Sequence, residues 1–295
     1  MTLQAGPGAF RGESLPMARG RRAALAIVVA VAAVSVSVAA CATTAVTSAG
    51  LGLPLVRVAA QKPQPPMTVQ VQAVQFTRPA PPPDEWPVSD PNVDLGPPPY
   101  HVAVVTVPVL HVYDSPTATV PRLQLGRRTE HGLPRTLLTV APEGDRWKVL
   151  LPVRPNDAVG WVSASEVFVD EVNYWIRVQT ATHMMTVGNG AQILDQEPVA
   201  VGTGGTPTPL GTFYLTELIK PVGQPYYGPF AYTLSAHSNV LRSFMGGDGT
   251  VGLHGTNAPG SIGRAASHGC IRVSNATITT LAATLPLGTP VFVTP

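Results

Sequence analysis

The chain has 295 residues, enough for two ordinary domains with appendages. Charged residues are only 12% of it, the formal net charge is +2, and no basic stripe with interleaved aromatics exists, which excludes a nucleic-acid partner. The 32 prolines are unevenly placed and point to a linker.

Residues 1–41 read as a targeting segment: Arg19, Arg21 and Arg22 precede an uncharged run rich in Ala and Val, which ends in Val38-Ala39-Ala40-Cys41. Two fates are open. One is a lipoprotein leader, since the four residues resemble a lipobox in which Cys41 is acylated after export. The other is an uncleaved membrane anchor, the run being borderline against the roughly 20 apolar residues a bilayer requires. Met17 is an alternative start to Met1. Either fate places the rest of the chain outside the cytoplasm, in the cell envelope. Residues 42–99 carry Lys62-Pro63-Gln64-Pro65-Pro66, Pro79-Ala80-Pro81-Pro82-Pro83-Asp84 and Gly96-Pro97-Pro98-Pro99. That composition predicts a semi-extended, largely disordered spacer.

Over residues 100–170 the pattern changes to β-branched and apolar runs at 101–109, 110–113, 136–140, 147–151 and 160–163, separated by turn residues. Several short strands in so little chain predict a small β-barrel. Residues 171–295 predict strands at 174–180, 183–187, 191–194, 197–201, 212–216, 231–235, 250–254 and 291–293, with Gly188-Asn189-Gly190 as a hairpin turn. One helix is expected at 275–285, capped by Ser274 or Asn275 and followed by Pro286. The chain is therefore expected to be mainly β with one short helix.

The chemistry gathers between His254 and Asn275. Cys270 is the only cysteine outside the leader, so it has no intramolecular partner in an oxidising compartment, and a working thiol is the better reading than a packing one. A thiol attacks as its thiolate and needs a base and an electropositive neighbourhood. His254, ending an expected strand, is the better-placed base; His268 lies two residues from Cys270 and either shares its face or turns away. Gly269 allows close approach of a carbonyl, and the N–H groups of Gly269 and Cys270 are candidate oxyanion donors. Gly255 allows a carbonyl to orient the His254 ring, and Arg272 supplies fixed positive charge. Zinc is the rival use of a cysteine and two histidines, but no fourth ligand lies at metal-type spacing. No metal or cofactor is expected.

His254-Gly255-Thr256 followed by Ser267-His268-Gly269-Cys270-Ile271-Arg272 resembles the signature of the L,D-transpeptidase (YkuD) family, bacterial enzymes that cross-link peptidoglycan through a cysteine acyl-enzyme. Residues 206–213, the Tyr226-Tyr227-Gly228-Pro229-Phe230 flap and Gly288-Thr289-Pro290-Val291 extend the likeness over about 171–295. Asp145-Arg146-Trp147-Lys148-Val149 with Gly160-Trp161-Val162 resembles bacterial Src-homology-3-like domains. The resemblance implies a YkuD-type β-sandwich behind a Src-homology-3-like barrel. It also implies transfer of the diaminopimelate carbonyl of a tetrapeptide stem to Cys270, with release of D-alanine, and then to the side-chain amine of a neighbouring stem. By the same resemblance Ser267 and His268 shape the site, Tyr227 and Gly228 cover the substrate, Thr256 and Asn275 line it, and carbapenems acylate Cys270. Hydrolysis of the same acyl-enzyme, giving an L,D-carboxypeptidase, and a non-catalytic wall-binding protein are the alternatives. An NlpC/P60-type peptidase is disfavoured, because its cysteine precedes its histidine.

Overall fold

A computed structural model describes residues 72–74, 86–91, 93–244 and 246–295. The leader, Cys41 and most of the Pro-rich stretch lie outside them. The described chain is mainly β with a single α-helix, as expected.

The upstream part is a seven-stranded sheet. A three-residue strand β1 (Gln72–Val74) precedes it in sequence. The sheet comprises β2 (Tyr100–Val105), β3 (Val109–Tyr113), β4 (Leu123–Gly126), β5 (Thr136–Glu143), β6 (Arg146–Leu150), β7 (Val159–Ser163) and β8 (Val167–Val172), in the order β4-β3-β7-β6-β5-β2-β8. The expected strand at 101–109 ends at Val105, and Val109 joins the next strand: at Thr106 the backbone N–H leaves the ladder to donate to the Glu166 carbonyl, and Pro108 lacks an N–H. β4 and β8 were not expected. Nor was the packing of residues 86–99. Trp86 is buried and its indole donates to the Val159 carbonyl at 2.7 Å, while Val88, Val93 and Leu95 pack on the same core. Isolated apolar residues among prolines show no period, so composition hides them.

The downstream part comprises β9 (Tyr174–Gln179), β10 (Met184–Asn189), β11 (Gln192–Pro198), β12 (Val201–Gly202), β13 (Gly211–Pro221), β14 (Ala231–His237), β15 (Thr250–His254), β16 (Ala265–Ser267), β17 (Ile271–Arg272), the helix α1 (Asn275–Thr284) and β18 (Pro290–Thr294). Its main sheet runs β11-β10-β9-β18-β13-β14-β15-β17, with β1 also paired to β13, and β12 with β16 forms a separate pair. The turn between β10 and β11 falls at Gly190, with φ of 57°; Gly188 lies inside β10 against the Trp175 ring. The long β13 joins two ladders, pairing β18 through its first half and β14 through its second. Ile278, Leu281 and Ala282 of α1 seal the core formed by Ile176, Phe213, Leu215, Leu234, Leu253 and Val291.

The two sheets share side chains. Tyr214 of β13 is fully buried in the upstream core and its hydroxyl donates to the Leu150 carbonyl at 3.3 Å. Arg154 donates to the carbonyls of Ser238 at 2.8 Å and Asp248 at 2.8 Å, pinning the 238–249 loop. His131 Nδ1 and Glu217 Oε2 are 2.8 Å apart in a largely buried ion pair. Together these contacts place one face of the upstream sheet beside the strands that carry the candidate site.

Candidate active site

β15 delivers His254 and its parallel neighbour β17 begins just after Cys270, so pairing of Leu253 with Ile271 and His254 with Arg272 brings the two segments together. The His254 ring is almost fully buried. Its Nδ1 lies 2.6 Å from the Gly255 carbonyl oxygen. A carbonyl only accepts, so Nδ1 carries the proton and Nε2 keeps its lone pair. Burial, together with the Arg272 guanidinium, holds the imidazole down at about 4, against the opposing pull of the Gly255 carbonyl. At neutral pH it is an uncharged base.

Cys270 is half-buried and its Sγ accepts from the Gly252 N–H at 3.4 Å. Burial pushes the thiol up, while that N–H and Arg272 pull it down, and burial wins. The resting pair is thus neutral thiol and neutral imidazole. Gly252 adjoins both: a Cβ there would lie 3.2 Å from the Tyr232 carbonyl oxygen, 3.7 Å from His254 Cδ2 and 3.9 Å from Cys270 Sγ. A side chain at 252 would crowd the Tyr232 carbonyl and stand in contact with both ring and thiol. A glycine inside an expected strand was the available signal for such a close approach, and sequence reasoning passed over it.

The turn before the nucleophile is fixed by Ser267. Its hydroxyl donates to the Cys270 carbonyl at 2.5 Å and accepts from the Gly269 N–H at 3.1 Å. The expectation that Gly269 N–H faces an oxyanion therefore meets a competing partner; its φ of 120° instead turns its carbonyl toward the Thr208 hydroxyl, which donates at 2.9 Å. Among the described residues nothing accepts from the Cys270 N–H, which leaves that group available to a ligand oxygen.

Tyr227 follows the flap turn and meets the His254 ring edge-on at 4.8 Å, with its own hydroxyl pushed up to about 12 by burial first and the nearby Cys270 second. Gly228 and Gly255 pass each other so closely that a Cβ on either would collide with the Asn275 amide oxygen. That oxygen accepts from the Thr256 N–H at 2.8 Å, so the first residue of α1 ties flap and histidine loop together. Arg272 is half-buried with Nε unpartnered among the described residues; it acts on the pair by charge. His268 is exposed, its ring against Phe244 at 5.1 Å, and it does not border the cavity at Cys270. Of the residues expected at the site, the structure gathers Cys270, His254, Gly255, Ser267, Gly269, Arg272, Tyr227, Gly228, Thr256 and Asn275, and leaves His268 behind Phe244.

The cavity has a volume of about 250 Å³ and is bordered by Cys270, His254, Gly252, Tyr227, the 246–251 loop, Thr233 and Glu217, and by Thr129, Glu130, His131 and Arg135 from the upstream sheet. The upstream contribution was not foreseen, because nothing local in 129–135 marks it as belonging to a distant site. His237 also borders the cavity: Nε2 pairs with Asp248 at 3.2 Å and Nδ1 has no partner among the described residues. No three His, Cys, Asp or Glu side chains among the described residues converge as a metal site requires.

The model of the L,D-transpeptidase catalytic domain, YkuD, matches residues 173–293. The YkuD protein of Bacillus subtilis, described as a candidate L,D-transpeptidase, is 32% identical over 151 residues, covering 49% of this chain and 84% of its own. Its Bacillus licheniformis namesake is 33% identical over 156 residues, covering 50% and 86%. An L,D-transpeptidase structure from Mycobacterium tuberculosis H37Rv overlaps 55% of this chain and 90% of its own at 13% identity, with a TM-score of 0.38. Since residues 173–293 match the family model and the Bacillus proteins, 32–33% identical, are matched over 84–86% of their own length, this chain belongs to the L,D-transpeptidase (YkuD) family.

Proposed function

We propose that the protein is a peptidoglycan L,D-transpeptidase with Cys270 as nucleophile and His254 as its base. The observation that carries this reading is the fixed tautomer: Nδ1–H tied to Gly255 leaves the Nε2 lone pair for the thiol proton. The thiol sulfur attacks the diaminopimelate carbonyl of a tetrapeptide stem as its proton passes to His254 Nε2. The Cys270 N–H is positioned to donate to the resulting oxyanion. Collapse breaks the peptide bond, and the proton on Nε2 leaves with the amine of the terminal D-alanine. The thioester is then attacked by the side-chain amine of diaminopimelate from a second stem, His254 taking the amine proton and returning it to the departing thiolate. The product is a direct diaminopimelate–diaminopimelate link.

Around this core, the upstream sheet is read as a Src-homology-3-like module, carbapenems as acylating inhibitors of Cys270, and Cys41 or the apolar run before it as a membrane attachment in the cell envelope.

Intact mass of the chain from residue 86 onward, incubated with meropenem, tests the nucleophile. A one-to-one covalent adduct on the wild type and none on Cys270→Ala is expected; a folded wild type without adduct would overturn the enzyme reading. Incubation with stem tetrapeptides then separates outcomes, a cross-linked dimer supporting transfer and a free tripeptide identifying a carboxypeptidase.

A further inference from the structure

A single row of the sheet leads from the thiol to the upstream module. Cys270 Sγ accepts from Gly252, Gly252 stands opposite Thr233, and Thr233 stands opposite Glu217. Two inter-strand steps of about 4.8 Å put Glu217 roughly 10 Å from Gly252 along the cavity wall. Glu217 is where the upstream module docks: its carboxylate takes the His131 ring at 2.8 Å and the His131 N–H at 3.4 Å. The 129–135 loop thus closes the end of the cavity away from Cys270.

That loop presents one cation not matched to an acid. Arg135 borders the cavity, and its Nε and one terminal nitrogen donate to the carbonyls of Gly126 at 2.7 Å and Arg128 at 3.2 Å. No carboxylate among the described residues lies within ion-pairing distance of it. Glu217 is already engaged by His131, and Glu130 is exposed. Glu130, Glu217 and the Tyr214 hydroxyl are the titratable groups that act on it. A guanidinium fixed by backbone carbonyls and partly stripped of water is suited to a ligand carboxylate, which it can meet in a bidentate pair.

We infer that Arg135 is a specificity-determining residue of the transpeptidase site, binding the free α-carboxylate of the γ-linked D-glutamate that precedes diaminopimelate in the donor stem. The length fits. Seven bonds separate the attacked carbonyl carbon from that carboxylate, roughly 9 Å when extended, against the roughly 10 Å between Gly252 and Glu217 along the cavity wall. The inference rests on the transpeptidase reading and gives the upstream module a place in substrate selection.

The test uses two synthetic tetrapeptide stems that differ only in that carboxylate, free in one and amidated in the other, with kcat/KM measured for wild type, Arg135→Gln and Arg135→Lys. Wild type is expected to favour the free acid by about 10- to 100-fold, the scale of one charge-assisted contact. Arg135→Gln should erase that preference by losing rate on the acid alone, and Arg135→Lys should keep part of it. A merely structural role would lower both stems equally, which would overturn the inference, as would a wild type that treats the stems alike or favours the amide. Absence of turnover of either stem by wild type, with no meropenem adduct, would instead overturn the transpeptidase reading and the role of Arg135 with it.

Discussion

His254 and Cys270 both rest uncharged, which sets the pH dependence of the chemical step. Protonation of the imidazole removes the lone pair that accepts the thiol proton, so acylation should stay level from neutrality down to about pH 5 and fall about tenfold per unit below about 4. Single-turnover acylation by meropenem across pH measures this. An acid limb centred at the ordinary histidine value of 6.5 would show that the ring is not buried as described. Ser267 offers a second check. Its hydroxyl holds both the Gly269 N–H and the Cys270 carbonyl, so Ser267→Ala should slow acylation by about 10- to 100-fold while the thiol remains titratable. These residues differ in how visible they were beforehand. Cys270, His254 and Ser267 stand in a compact signature, whereas Gly252 acts through a backbone N–H and a missing side chain, and His237 and Glu217 through register across three strands. His268 shows the reverse case: its spacing from Cys270 left open whether it shares the thiol's face, and its ring lies against Phe244.

At the scale of elements, the His131–Glu217 pair is the fastening between the 129–135 loop and β13. The hydrogen bond to Glu217 raises His131 against the opposing effect of burial, and the bonds from His131 and Thr129 hold Glu217 down although burial pushes it up. The raised histidine contributes stability that is complete below its ordinary 6.5 and lost as pH climbs through its folded value. The lowered glutamate contributes stability that is complete above its ordinary 4.5 and lost as pH drops through its folded value. Both contributions are whole only between those limits. His131→Ala, which strands a buried carboxylate, should cost about 3 kcal/mol in urea unfolding near pH 5.5 and less near pH 8.5. An equal cost at both pH values would mean that packing, not charge, is lost. Strands with clear alternation, such as β9, β14 and β15, were legible in the sequence with small boundary differences. The two-residue β12 and β17 and the three-residue β16 were not, since such short segments carry no period and exist only because neighbours pair with them.

For the whole molecule, the upstream and downstream sheets are joined by the single residue Asn173 between β8 and β9, and Tyr214 belongs to one sheet by backbone and to the other's core by side chain. Calorimetry of residues 86–295 should show one cooperative transition, with Tyr214→Ala lowering stability by about 3–5 kcal/mol throughout. Two separated transitions would contradict the shared core. The division into an upstream and a downstream set of strands was readable as two stretches of short apolar runs, but their common interior was not, because Tyr214 and its neighbours sit far along the chain from Leu150. The shared interior also orders events in time. During synthesis the upstream sheet is made before Tyr214 and Phe292, whose side chains pack against its core. The upstream core therefore stays incompletely closed until β13 and β18 have formed, and the cleft beside Cys270 unites an early loop, 129–135, with strands made long after it.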